Sequence, residues 1–190
     1  MNDNLARVEY QRNELLNGRL VMMSPRPTYN HNRIASNIFR MFDNYLAGKN
    51  CTAIADGTDL YLTEKDRLVP DMMIVCDRNK IKYNGVHGAP DLLVEVLSPG
   101  TYKNDRGYKK DLYSKCGVHE YWLVEPASCT LEQYLLENGQ LEIAEIYHLY
   151  PDYMLADMDE KELAEVVTEF KCSLYDDLLI KLEDIFANLI

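Results

Sequence analysis

Glu95 is the residue in this sequence that most needs a physical reason. It stands in the middle of Asp91-Leu92-Leu93-Val94-Glu95-Val96-Leu97-Ser98, a run that is otherwise apolar between its ends. A carboxylate buried without a partner costs several kcal/mol or takes up a proton. A core strand keeps one for a metal ion, for catalysis or for a buried salt bridge. Asp71 poses a similar question, because it follows Val69-Pro70 and opens a second apolar run, Met72-Met73-Ile74-Val75-Cys76. Two carboxylates at the ends of neighbouring strands can converge on one hard cation, whose ligands are oxygens. A structural salt bridge meets the same spacing, so the residues alone leave both readings open.

The elements that must hold these groups can be read from pattern. Residues 52–62, 69–76, 91–98 and 120–125 read as strands from their lengths and flanking turns. Three apolar runs, Met72–Cys76, Leu92–Leu97 and Tyr121–Val124, do not alternate with polar residues, which predicts helices on both faces of the sheet. Residues 30–47 read as a helix, with Ile34, Ile38, Met41, Phe42 and Tyr45 on one side and Asn30, Arg33, Asn37, Arg40 and Asn44 on the other. Residues 102–115 read as the helix after the Glu95 strand. Asn17-Gly18 and Asn138-Gly139 each separate two apolar runs, the pairing a type I′ hairpin turn favours. Residues 158–168 and 175–189 read as short helices, the second burying Tyr175, Leu178, Leu179, Leu182, Ile185, Phe186 and Leu189. The sum is an α/β or α+β fold, a mixed β-sheet core flanked by helices with N-terminal and C-terminal β-hairpins. Repeats, low-complexity tracts and linkers are absent, which predicts one domain over residues 1–190.

Pro70-Asp71, then Glu95 inside an apolar strand, then a lysine-bearing helix resembles the PD-(D/E)xK nuclease pattern. More closely, residues 90–126 resemble the Uma-type family of that superfamily. The matching pieces are the Pro90-Asp91-Leu92 and Glu95-Val96-Leu97-Ser98-Pro99 strand, a helix with Lys109 and Tyr113 four apart, and Gly117-Val118-His119-Glu120-Tyr121-Trp122. The likeness runs back through Asn17-Gly18-Arg19-Leu20, Ser24-Pro25 and His31, and so covers about residues 9–150. It implies a restriction-endonuclease-like fold and metal-dependent phosphodiester hydrolysis, with in-line attack, departure of the 3′ oxygen and a 5′ phosphate product. It implies that Asp71 and Glu95 are side-chain ligands of a divalent ion, Mg²⁺ with Mn²⁺ able to substitute, and that the Val96 carbonyl is a third oxygen. The motif's usual lysine, two residues after the glutamate, is Leu97 here. The resemblance moves that role to Lys109, one helical turn before Tyr113 and on its face. Tyr102 and Arg106 fall on the same predicted stripe, Lys110 a quarter-turn away, and Lys103 and Lys115 read as solvated or backbone-contacting charges. His31 either joins the metal site or is a capping or satisfied surface histidine. Glu14 either supports that site or makes a cross-strand charge pair. Tyr113 orients Lys109 or fills core with a polar handle.

The chain has 190 residues, 47% hydrophobic and 27% charged, ordinary for a globular protein with room for a real core. Its net charge of −11 is unfavourable for contact with phosphates. Residues 151–190 hold 11 acidic and 3 basic residues, a net −8, which leaves −3 for residues 1–150. The bland reading of that acidic C-terminal segment is a solvated helical face. No stretch approaches the roughly 18 apolar residues of a membrane span, and the N-terminus lacks a secretory pattern. Cys51, Cys76, Cys116, Cys129 and Cys172 are odd in number and widely spaced, which reads as reduced thiols in a cytoplasmic protein. The expected partners are nucleic acid, DNA foremost, and a second copy of the chain, since cutting a duplex wants two centres. A rival reading is a binding or assembly module that keeps the nuclease scaffold. The low charge favours it, and the intact Asp71, Glu95 and Lys109 set favours the enzyme. A third reading, paired-carboxylate glycoside hydrolysis, would need neither a metal nor Lys109.

Overall fold

The computed structural model of the chain describes residues 13–23 and 26–190. Ser24 and Pro25, and the part of the family pattern before Asn13, lie outside them. In chain order the strands are β1 (Asn13–Leu16), β2 (Arg19–Met22), β3 (Thr52–Ala55), β4 (Leu60–Thr63), β5 (Asp66–Leu68), β6 (Met72–Val75), β7 (Ile81–Lys82), β8 (Gly85–His87), β9 (Leu92–Val96), β10 (Glu120–Glu125), β11 (Thr130–Glu137), β12 (Gln140–His148), β13 (Glu169–Phe170) and β14 (Ile180–Lys181). The helices are α1 (Tyr29–Leu46), α2 (Tyr102–Asn104), α3 (Lys110–Cys116), α4 (Asp152–Asp157), α5 (Glu160–Glu165) and α6 (Leu182–Ile185), and a π-turn over Asp105–Lys109 joins α2 to α3.

The continuous apolar runs become the middle of a six-stranded sheet ordered β12-β11-β10-β9-β6-β3, antiparallel except for β9 with β10. Successive side chains of β9 leave on opposite faces. Leu92, Val94 and Val96 enter one core with Ile34, Ile38 and Phe42 of α1 and with Phe170, Ile185 and Phe186 from the C-terminal segment. Leu93 and Leu97 enter the other, with Leu112 and Tyr113 of α3 and Leu16, Leu60 and Leu68. Both faces are covered, as the non-alternating strands predict, but the second cover is largely a sheet. That sheet runs β2-β1-β5-β4-β8-β7. The mixed sheet flanked by helices is thus present, with hairpins at Asn17-Gly18 (φ 50 and 73) and Asn138-Gly139 (φ 50 and 79).

Several expectations are corrected. Residues 52–62 form two strands in different sheets, β3 and β4, split by a turn at Gly57 with φ 97. Residues 102–115 are not one α-helix, because the π-turn interrupts them. Of residues 175–189 only Leu182–Ile185 is α-helical; Ile180 and Lys181 instead pair with Phe170 and Glu169, and Leu179 is 48% exposed. Asn37, placed by periodicity on the solvated face of α1, is buried and donates to the carbonyls of Ile185 and Ala187 at 3.0 Å each. The antiparallel register that pairs Thr52 with Val75 sets Cys51 opposite Cys76, and a disulfide joins them. Three of the five cysteines, Cys116, Cys129 and Cys172, are free thiols. With Cys51 and Cys76 paired, the cysteines are not all the reduced thiols expected of a cytoplasmic protein.

Two local features aim the site. β5 belongs to the second sheet and β6 to the central one, so Val69-Pro70-Asp71 crosses between them. Pro70 has no N–H to give to either ladder, which suits a crossing. After β9 the chain runs through α2, the π-turn and α3, and Gly117 (φ 85) ends α3 with its N–H on the carbonyls of Tyr113 and Ser114. Only a residue without Cβ takes that left-handed position at little cost. The turn returns the chain at Val118, fully buried, to start β10 beside β9.

Candidate active site

β6 and β9 pair as Ile74↔Leu92, Met73↔Leu93 and Met72↔Val94, and there the ladder stops. Asp71 and Glu95 are the next positions in that register, at the mouth of a fork between the strands. Instead of continuing the ladder, Asp71 Oδ2 accepts the Val96 N–H at 2.7 Å. The Val96 carbonyl leaves β9 on the same edge as its N–H, as strand geometry requires. α1 approaches from above: Thr28 caps it, its Oγ1 accepting the His31 N–H at 3.3 Å, while the His31 ring puts Nε2 3.3 Å from Asp71 Oδ2. Arg26, His31, Asp56, Asp71, Glu95, Val96 and Lys109 line one cleft of about 210 Å³ at this point.

Glu95 lies on the face of β9 that carries Leu93 and Leu97, so its carboxylate enters the second core and meets the π-turn. Lys109 Nζ sits 3.1 Å from Glu95 Oε1, 3.0 Å from Glu14 Oε1 and 3.1 Å from Asp105 Oδ1. All four side chains are buried, Lys109 to 1% exposure. Glu14, on β1, also accepts the Val69 N–H at 3.0 Å and so fixes the strand crossing that carries Asp71. The Tyr113 hydroxyl donates to Glu95 Oε1 at 2.8 Å, which makes Tyr113 a holder of the glutamate as well as core. Asp105, Arg106 and Tyr108 of the π-turn are each tethered separately. The Asp105 carbonyl accepts from Tyr121 Oη at 3.2 Å, Arg106 bonds Glu132 at 2.6 Å, and Tyr108 bonds Asp66 at 2.6 Å.

Charge at this site is out of balance. Among the described residues, Glu14, Asp71, Glu95 and Asp105 converge with a single lysine. Burial pushes the Glu95 carboxyl well above its ordinary pKa; Lys109 pulls it down, but Asp105, Asp71 and Glu14 push it further up. Burial opposes the charge of Lys109, yet Glu95, Asp105 and Glu14 hold its pKa well above the usual lysine value. Asp105 is also raised, by burial first and against the pull of Lys109. Burial likewise disfavours a charged His31, and the bonded Asp71 carboxylate and nearby Asp56 outweigh it, lifting the ring's pKa. Among the described residues, the site holds more carboxylates than cationic side chains.

The structure therefore brings together Asp71, Glu95, Lys109, Glu14, His31 and Tyr113. It separates Tyr102 and Arg106 from them: Arg106 turns to Glu132, and Tyr102 is 44% exposed. The π-turn shifts the helical phase, so Asp105 takes the place beside Lys109 that a 3.6 period gives to Arg106. Lys110 points away, its Nζ donating to the Leu141 carbonyl at 3.2 Å. Asp105 and Asp56 were not singled out from sequence. Asp105 stands four residues before Lys109, the helical ion-pair spacing, and that spacing was the available signal.

Residues 4–172 match the Uma2 family, described as "Putative restriction endonuclease". The chain belongs to this family. The match takes in every residue of the Uma2 site described above. An uncharacterized protein of Synechocystis sp. (strain ATCC 27184 / PCC 6803 / Kazusa), slr1290, is 29% identical over 126 residues, which are 65% of this chain and 66% of that protein, slightly under two thirds of its length. The crystal structure of a "putative nuclease belonging to DUF820" from Anabaena variabilis ATCC 29413 shares the fold with a TM-score of 0.68, at 20% identity over 92% of this Uma2 chain and 89% of that one.

Proposed function

We propose that this Uma2 protein is a divalent-metal-dependent endonuclease that hydrolyses phosphodiester bonds, with DNA as its substrate. The observation that carries the reading is the convergence of Glu14, Glu95 and Asp105 on Lys109, with Asp71 beside them at the mouth of a strand fork that opens into a cleft. Among the described residues, no group of three or more His, Cys, Asp or Glu side chains forms a ready metal cage. Asp71, Glu95 and the Val96 carbonyl nonetheless fit Mg²⁺, an all-oxygen set that leaves the remaining octahedral positions to water and phosphate. The surplus negative charge at Glu95 favours any cation placed there. When bound, Mg²⁺ or Mn²⁺ lowers the pKa of its water and neutralises charge on the phosphate.

Lys109 is held rigidly by Glu14, Glu95 and Asp105, and it presents a fixed positive charge to the cleft. That charge orients the attacking water and offsets the negative charge that grows on the phosphate. Tyr113 fixes the Glu95 carboxylate, and His31 and the Val96 N–H fix that of Asp71. Attack is in line, the 3′ oxygen departs and the 5′ phosphate stays. Two strands need two such centres, so the working unit is a homodimer; light scattering should give twice the chain mass, and a monomer at working concentration counts against it.

Incubated with Mg²⁺ or Mn²⁺, the wild type should nick or linearise supercoiled plasmid. Asp71→Asn, Glu95→Gln and Lys109→Ala should each lose about 10²-fold or more of that activity with unchanged circular dichroism. Equal cleavage by all four proteins overturns the reading.

A further inference from the structure

A second cavity, of about 380 Å³, adjoins the cleft and shares Ser98 and Pro99 with it. Its other walls are Leu97, Tyr102, Lys103 and Glu125. The Tyr102 ring is set in advance: the Arg106 guanidinium carbon lies 4.8 Å from its centroid, and Arg106 is itself held by Glu132. The ring nevertheless stays 44% exposed. A preset aromatic, a proline, a lysine and an acceptor-only carboxylate in one hollow next to a candidate phosphate site is a donor and acceptor set suited to a nucleotide.

We propose that this cavity holds the base of an unpaired nucleotide adjoining the scissile phosphate, stacked on Tyr102 with its own phosphate against Lys103. The placement of the scissile phosphate rests on the nuclease reading above; the base site itself rests on the cavity. Stacking on a tyrosine accepts any base and is favourable only for one not already stacked in a duplex. Glu125, which can only accept hydrogen bonds, suits an exocyclic amino group on the base edge. The substrate so defined is a strand with a free tail, flap or gap at the cut site, in preference to blunt paired duplex.

A single-stranded oligonucleotide carrying 2-aminopurine, titrated into the full chain without added metal, reads the base site directly. Stacking should quench the probe saturably. Tyr102→Ala should weaken binding about fivefold or more and remove the quenching, while Tyr102→Phe keeps both. Tyr83→Ala, a fully exposed tyrosine outside the cavity, should match the wild type. Lys103→Ala should reduce the salt dependence of binding by about one phosphate. With metal, a tailed duplex should be cut faster than a blunt one. Cleavage without preference for the tail, together with quenching that Tyr102→Ala leaves intact, overturns the base site and spares the nuclease reading. Quenching that Tyr102→Ala removes, with no cleavage of any substrate, keeps the base site and sinks the nuclease reading.

Discussion

Glu95 and Glu120 are buried glutamates on neighbouring strands, 4% and 0% exposed. Glu120 accepts from Trp122 Nε1, Gln133 Nε2, Ser173 N and Ser173 Oγ, all at 2.6–2.7 Å and all neutral donors. It ties the C-terminal segment to the sheet. Glu95 has one hydroxyl and one shared lysine, and three more carboxylates around it. Truncating Glu120 leaves several buried donors unpaired, each worth about 1–3 kcal/mol, so Glu120→Ala should unfold at clearly lower urea than the wild type. Glu95→Gln relieves a surplus charge, so without metal it should be no less stable than the wild type at neutral pH. The sign with pH follows from the raised Glu95 pKa. The folded state holds that proton more tightly than the unfolded, so metal-free stability falls as pH climbs from the ordinary carboxylate range through the raised value. Lys109, also raised, contributes fully below the usual lysine value and is lost only above it, outside this window. Urea midpoints against pH should slope downward in the wild type and flatten in Glu95→Gln; a flat wild-type profile would contradict the charge imbalance. At this scale Glu95 was legible because a charge inside an apolar run has few explanations. Asp105 was not, since Asp111 and Lys115 show the same four-residue spacing without entering the site.

Among the elements, the β6–β9 fork decides the geometry. Its arms are pinned where Asp71 replaces a ladder bond by accepting the Val96 N–H. Asp71→Asn keeps an oxygen there, whereas Asp71→Ala leaves the N–H without its acceptor, a loss of about 1–3 kcal/mol locally. Hydrogen exchange at the Val96 amide should therefore speed up in Asp71→Ala far more than in Asp71→Asn, and equal protection in both would deny the pin. The strands of this fork were readable because each is a short apolar run with turns at its ends. The π-turn was not, because hydrophobic period reports an average of 3.6 and cannot see one residue of added phase. Residues 175–189 show the same limit from the other side. Leu182, Ile185 and Phe186 are buried as a helical stripe predicts, but the backbone at Ile180 gains more from pairing with Phe170 than from extending a helix.

Over the whole molecule, two sheets and α1 close around the polar seam that holds Glu95 and Lys109. The layered fold was legible from unbroken apolar strands; the partner sheet was not, because β5, β7 and β8 have only two or three residues each and carry no periodic signal. The disulfide between Cys51 and Cys76 escaped for a related reason, as 25 residues of sequence separate two positions that only strand register makes adjacent. Among the described residues no helix is long and apolar enough to cross a membrane. The net charge of −11 argues for few phosphate contacts, so a cation at the fork has to supply much of the attraction for a polyanion. Nuclease activity at this fork thus requires that the clustered carboxylates grip a metal. Calorimetric titration of the wild type with Mn²⁺, in two buffers of different ionisation heat, tests this most directly. The expected result is saturable binding, with proton release that grows as pH falls because the metal competes with the proton that burial favours on Glu95, and loss of that binding in Glu95→Gln. No heat from the wild type, or the same binding in Glu95→Gln, would contradict it.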